Sequence, residues 1–102
     1  MGRASDPLQQ FKRALQRKDL DDAMRFARDL PISDVDAMKL TILAGEAQAP
    51  VFERMAIRLI WKLDQKRKFS LHELLWVAAR FRDAHEGHGR ESQRALERFL
   101  RQ

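Results

Sequence analysis

The sequence contains no cysteine and no tyrosine, and only four glycines and three prolines among its 102 residues. The lack of cysteine excludes disulfides, thiolate nucleophiles and cysteine zinc sites. The sequence also has no glycine-rich phosphate loop and no Gly-x-Ser-x-Gly nucleophile elbow. No apolar run approaches the ~18 residues of a membrane-spanning helix, and the N-terminus has no apolar signal core. We therefore expect a cytoplasmic protein that does not enter a membrane.

The composition is that of a folded domain with a basic second half. Apolar residues make up 44% of the chain and charged residues 34%, which favours one hydrophobic core and a solvated surface. The net charge is +5. Residues 1–49 carry eight basic and eight acidic side chains, whereas residues 50–102 carry twelve and seven. The excess of positive charge permits an anionic partner without identifying one.

Apolar residues recur at the 3–4-residue spacing of amphipathic helices, and no segment alternates as a strand does. Four residues stand where helix N-caps are expected: Asp6, Asp19, Ser33 and Ser70. The pattern predicts a single all-α domain over residues 1–102. We expect a compact bundle of about six short helices in three successive hairpins. Residues 1–6 are predicted to be flexible, and residues 86–90 to form a glycine-containing loop before the last helix.

The segment Ala49–Lys68 combines many apolar residues with the strongest basic run of the chain. Apolar side chains cover one broad side of the predicted helix, while Ile57 and Trp61 fall on the opposite side. A helix that is apolar on two sides is usually enclosed by neighbours. We therefore expect this helix to be central, with Pro50 in its first turn. In the following helix, the predicted core side consists of Leu71, Leu74, Leu75, Ala78 and Phe81.

The first functional hypothesis is a non-catalytic interaction module that acts as an adaptor or regulator. Trp61 and Trp76 both lie off the predicted core stripes of their helices, with arginines close in sequence. Tryptophan and arginine are enriched at the energetic centres of protein interfaces. The predicted partner is another protein or a second copy of this chain. The predicted partner-binding residues are Ile57, Trp61, Trp76, Arg54 and Arg58.

The alternative hypothesis is a nucleic-acid-binding protein that uses two basic ridges, because rows of cations can follow phosphates. Neighbouring predicted helices lack the short turn of a helix-turn-helix motif, so we expect no sequence-specific reading. Cations at helix C-termini also have a simpler explanation in the helix dipole. The predicted ridges comprise Arg54, Arg58, Lys62, Lys66, Arg67 and Lys68 on the fourth helix, and Arg90, Arg94, Arg98 and Arg101 on the sixth.

No constellation of residues indicates catalysis, and we expect no enzyme, cofactor or small-molecule substrate. The clustered aspartates fall at predicted helix N-termini, where the dipole favours anions. His85 and His88 are separated by a glycine that breaks the helix, whereas metal-binding pairs project from one helix face. We therefore expect a polar helix end there and no metal site.

Asp36-Ala37-Met38-Lys39-Leu40, Pro50–Arg58, Trp61 and Ser70-Leu71 carry a resemblance to a known group. In these positions the chain resembles small uncharacterised all-helical proteins of high-GC actinobacteria, in which a Pro-x-Phe-x-Arg-x-Ala-x-Arg helix precedes a helix capped by Ser-Leu. The likeness spans residues 14–84. It implies a shared helical fold and a bacterial cytoplasmic setting, and it implies no activity.

Overall fold

The computed structural model describes residues 6–102, in which every regular element is helical and no strand occurs. No helix in this range has the length and apolar character needed to cross a membrane. The predicted all-α fold is confirmed. Apart from Asp6, the residues predicted to be flexible lie outside the described range. The helices are α1 (Pro7–Gln16), α2 (Leu20–Ala27), α3 (Asp34–Glu46), α4 (Phe52–Arg67), α5 (Leu71–Asp83) and α6 (Gly89–Leu100), with a π-helical turn at Ala84–His88.

The four predicted N-caps are confirmed, because each side chain accepts a hydrogen bond from a backbone N–H of the following turn. Ser70 and Glu73 form a complete capping box at the start of α5. Pro50 is not in the first turn of α4, where it was predicted. The helix begins at Phe52, after a turn in which the Phe52 N–H donates to the Ala49 carbonyl. Hydrogen bonds between a capping side chain and the following turn therefore fix the starts of α1, α2, α3 and α5.

The junction between α5 and α6 differs from the predicted loop at residues 86–90. The π turn continues directly from α5, and α6 begins at Gly89. Gly87 has a φ of 106°, a conformation that glycine adopts without the steric penalty of a side chain. The chain thus changes direction within a continuous helical path. It forms five continuous helical segments, not six helices in three separate hairpins.

The central helix is α3, and the prediction that α4 is central is wrong. Seven consecutive or nearly consecutive residues of α3 are buried: Met38, Leu40, Thr41, Ile42, Leu43, Ala44 and Gly45. By contrast, α4 buries only Ala56, Leu59 and Leu63 on the predicted core stripe. Its second apolar side faces solvent. The sequence misleads here because α3 is apolar on all sides and so lacks the single stripe of an amphipathic helix, whereas α4 shows two distinct apolar sides.

Two apolar clusters lie on opposite sides of α3. Met38 and Ile42 belong to a cluster with residues of α4, α5, the π turn and α6. Leu40 belongs to a second cluster with Phe11, Ala14 and Ala23 of α1 and α2. Because residues advance 100° along a helix, Leu40 points away from Met38 by about 200°. α1 and α2 make backbone contacts with each other and with α3, but not with α4, α5 or α6.

α5 presents a different face to the core from the one predicted. Its buried residues are Val77 and Phe81, followed by Ala84 in the π turn. Leu71 and Leu75, which were assigned to the core side, are 69% and 59% exposed. α6 packs along the Val77 side, where Val77 and Phe81 share a cluster with Leu96 and Leu100. This rotation leaves a row of leucines on the outside of α5.

We expect Leu40→Ala to destabilise the protein by about 2–4 kcal/mol, because it removes the buried α3 side chain on which α1 and α2 pack. Amide hydrogen exchange should accelerate mainly in α1 and α2. In the matched variant Ile42→Ala, the larger effect should fall in α4, α5 and α6, since Ile42 faces that cluster. Identical exchange patterns in the two variants would contradict the assignment of two separate clusters.

Candidate interaction surfaces

α4 and α5 form an antiparallel hairpin that is closed by the three residues Lys68, Phe69 and Ser70. Lys68 ends α4 in the left-handed conformation, with φ 52°, and its N–H donates to the Asp64 carbonyl. The Asp64 carboxylate accepts a hydrogen bond of 3.0 Å from the Phe69 N–H. Ser70 then caps α5. These contacts set the close pairing of the two helices and therefore the groove between them.

The α4–α5 hairpin carries all of the exposed large hydrophobic side chains of residues 6–102. Ile57 and Trp61 on α4 are 60% and 68% exposed, and Leu71 and Leu75 on α5 are comparably open. Within each pair the two residues are four apart, so they share one face of their helix. We refer to Ile57, Trp61, Leu71 and Leu75 as the apolar face. Single exposed hydrophobic side chains are common on protein surfaces, whereas a group of four on two adjacent helices marks a candidate interaction site.

Two recesses adjoin the apolar face. The first is a groove of about 490 Å³ between α4 and α5, with Ile57, Ile60 and Ala78 among its walls. The second lies on the outer side of α4 around Ile57 and Trp61. Their charged lining is mostly positive: the cations are Arg54, Arg58 and Arg82, and the acid is Glu53, with His85 at one end.

Trp76 is placed apart from Trp61. It is half-buried against Phe99 of α6, with ring centroids 5.1 Å apart, and the Arg80 guanidinium lies 5.3 Å from its ring centroid. Trp76 lines neither recess beside Trp61. The arrangement therefore brings together Ile57, Trp61, Arg54 and Arg58 from the predicted partner site, but not Trp76. Leu71 and Leu75 of α5 are exposed as well, although they line neither recess, and the sequence pattern wrongly assigned both leucines to the core.

The α4 basic ridge is partly engaged within the chain. Lys66 pairs with Asp34 at 3.1 Å, and the Arg67 guanidinium donates to the Leu100 carbonyl at the end of α6. Arg54, Arg58, Lys62 and Lys68 have no ion-pair partner within residues 6–102, and the first two border the apolar face. Lys66 and Arg67, at the C-terminal end of α4, thus hold this helix end against the start of α3 and the end of α6.

Three of the four predicted α6 cations, Arg90, Arg94 and Arg101, line a recess against α1 and α3. Arg98 does not line it. Positions 90, 94 and 101 fall within about 40° of one another around the helix, whereas position 98 lies about 80° from position 90. The recess also contains three cations from distant parts of the chain, which periodicity in one helix cannot reveal: Lys12, Lys18 and Lys39.

The described residues offer no group of three or more histidine, aspartate or glutamate side chains that could hold a metal ion. His85 stacks on Phe52 with ring centroids 5.4 Å apart and an angle of 11° between the rings. Gln48 donates to the carbonyl of the same residue at 3.2 Å. This end of the π turn is therefore held against the start of α4 by stacking and a hydrogen bond.

No protein-family model, curated protein or solved structure matches this chain. The chemistry of the two surfaces is consequently the basis for assigning a role. One surface is apolar with a basic edge, and the other is basic with no exposed large hydrophobic side chain.

We expect Trp61→Phe to remove most of the iodide quenching of tryptophan fluorescence, while Trp76→Phe should keep it. Trp61 is exposed beside two arginines that attract the anionic quencher, whereas Trp76 is covered by Phe99 and Arg80. Acrylamide is a neutral quencher, so comparing it with iodide separates the exposure of the indole from the attraction of iodide to the arginines. Equal iodide quenching of the two single-tryptophan variants would contradict the different placement of the two rings.

Proposed function

We propose that the protein is a helical interaction module that binds an acidic amphipathic helix of a partner protein across the α4–α5 groove. The observation that carries the proposal is the apolar face, in which each helix of the hairpin exposes two large side chains and Ile57 also lines the groove. Exposed tryptophan and aliphatic side chains around a recess are typical anchors of a protein interface.

The shape of the hairpin suits a helix as its occupant. Two antiparallel helices leave a groove along their length, and a third helix that lies in it forms a three-helix layer. Helix-in-groove recognition uses apolar side chains at spacings of three and four residues on the ligand. The groove walls carry apolar side chains from both helices, with Ile57 and Ile60 on α4 and Ala78 on α5. The ligand's apolar stripe would therefore meet apolar side chains from both helices.

The charged residues that line the two recesses indicate which kind of partner helix would bind. Arg54, Arg58 and Arg82 outnumber Glu53 along the two recesses, so an acidic flank on the ligand complements the edge. The same charges disfavour a second copy of this chain as the occupant. In a twofold dimer each patch meets its own equivalent, which would bring these arginines toward like charges. A heterologous acidic partner is consequently the better fit.

Binding of nucleic acid along the α4 ridge has weaker support. Lys66 and Arg67 are engaged by Asp34 and by the Leu100 carbonyl, and Arg54 and Arg58 flank exposed apolar side chains. Phosphate tracking needs free cations over a polar surface.

The test uses two fluorescein-labelled helical peptides with identical apolar stripes, one flanked by glutamates and the other by lysines. We expect the glutamate peptide to bind at least tenfold more tightly in fluorescence anisotropy. Trp61→Ala should weaken its binding at least tenfold, because the indole is a central anchor. The double variant Arg54→Glu/Arg58→Glu should reverse the preference between the peptides.

The matched control is Arg13→Glu/Arg28→Glu, which makes the same change in net charge on α1 and at the end of α2, away from the hairpin. It should preserve the preference for the glutamate peptide. Equal binding of both peptides, or binding that is insensitive to Trp61→Ala, would refute the proposal. Concentration-dependent dimerisation in sedimentation that Trp61→Ala abolishes would instead identify a second copy as the occupant.

A further inference from the structure

A recess of about 600 Å³ lies between α1 and α6, with α3 as its floor. It exists because α1 and α6 both pack near α3 but make no backbone contact with each other. One end is bounded by Glu46, whose carboxylate pairs with Lys18 at 3.3 Å and whose side chain lies over Gly89. The recess is therefore a groove enclosed by helices from the two halves of the chain.

The groove has a defined direction and length. Lys39 pairs with Glu97 at 3.8 Å, and Glu46 lies over Gly89, so α3 and α6 run antiparallel along the groove. The floor extends from Val35 to Glu46, which corresponds to about 16 Å of helix. Lys12 and Lys18 stand on the α1 side, and three arginines stand on the α6 side. Positive charge thus borders the groove on both sides along its length.

The groove concentrates charge of one sign. Its lining contains six cations and two acids: Lys12, Lys18, Lys39, Arg90, Arg94 and Arg101 against Asp36 and Glu46. Lys18 is paired with Glu46, and Lys39 and Arg101 share Glu97. In the part of the chain that the structure describes, Lys12, Arg90 and Arg94 have no ion-pair partner. Mutual repulsion among such cations disfavours the compact state unless an anion neutralises them.

We propose that this groove binds the phosphate backbone of a single-stranded nucleic acid. A positively charged groove that follows one backbone is the common feature of proteins that bind single strands without sequence preference. At the roughly 3.4 Å rise per phosphate of a strand stacked as in a duplex, 16 Å accommodates at most about five phosphates, and fewer on a more extended single strand. No aromatic side chain lines the groove, so bases have no stacking platform. Recognition therefore rests on phosphate and is independent of sequence.

A protein partner fits this groove less well than a nucleic acid does. Protein interfaces depend on exposed apolar or aromatic anchors, and every exposed large hydrophobic side chain of residues 6–102 lies on α4 or α5. Leu15, Val35 and Leu43 of the groove are buried or half-buried. The polar groups that accompany the cations are Gln16, Ser33 and Gln93, which can donate to phosphate oxygens. This inference is independent of the helix-binding role of the α4–α5 hairpin.

The experiment measures fluorescence anisotropy of labelled oligo-dT and oligo-U of about twelve nucleotides at ~50 and ~200 mM salt. We expect both to bind, with affinity falling about 20- to 50-fold between the two salt concentrations. That range follows from release of three to four counterions at a slope of about −0.7 per phosphate. We expect a duplex of the same length to bind more weakly, because it is wider and stiffer than a single strand and so adapts less well to a groove between two helices.

The deciding variant is Arg90→Glu/Arg94→Glu, which reverses two unpaired cations on the α6 side. We expect at least a tenfold loss of oligonucleotide affinity and a flatter salt dependence. Because the change relieves repulsion among cations, the thermal unfolding temperature should stay the same or rise. The matched control, Arg13→Glu/Arg98→Glu, makes the same net charge change at positions of α1 and α6 that do not line the groove, and affinity should stay within about threefold.

Several outcomes would overturn the proposal. Equal losses in the two double variants would mean that diffuse net charge, not the groove, attracts the oligonucleotide. Tighter binding of the duplex would contradict the single-strand assignment. Competition by polyglutamate as effective as that by oligo-dT would show a general polyanion surface without preference for phosphate. Binding of inorganic polyphosphate without binding of either oligonucleotide would assign the groove to a different phosphate chain.

Discussion

The burial of α3 from two opposite sides is the constraint on which the rest of this structure depends. Met38 and Ile42 face the cluster formed with α4, α5 and α6, while Leu40 faces α1 and α2. The backbones of α1 and α2 approach only α3, and Met55 of α4 adds a side-chain contact with their cluster, so the two halves of the protein join mainly through α3. Small residues at its C-terminal end, above all Gly45 against the Phe52 ring, let α4 start close to α3.

Both candidate surfaces follow from that arrangement. α4 and α5 cover one side of α3 as a hairpin with no further layer outside it, so Ile57, Trp61, Leu71 and Leu75 remain in solvent. On another side, the α1–α2 pair and α6 reach α3 without touching each other and leave the basic groove open. The two surfaces differ in the chemical character of their exposed side chains. Apolar anchors with a few arginines suit a protein helix, whereas cations without anchors suit phosphates.

Local signals in the sequence predicted local structure well. Asp19, Ser33 and Ser70 identified helix starts because a cap acts on backbone groups two or three residues away. The periodicity of α4 identified its core stripe, but the expectation that this helix is enclosed was wrong, since Trp61 is exposed. In α5, Phe81 is buried as predicted, whereas Leu71 and Leu75 are exposed and Val77 is buried. A helical period shows which residues share a side of a helix, but the neighbouring helices decide which side is covered.

The sequence by itself determined the all-helical class, the helix caps, the excess of basic residues, and the second apolar side of α4 opposite its core stripe. These properties depend on residues within one or two turns of each other. Only the tertiary structure decided that α3 is central, that Trp61 is exposed while Trp76 packs on Phe99, and that Lys12 and Lys39 join Arg90 and Arg94 in one groove. These features arise from contacts between residues far apart in the chain, which no local period encodes.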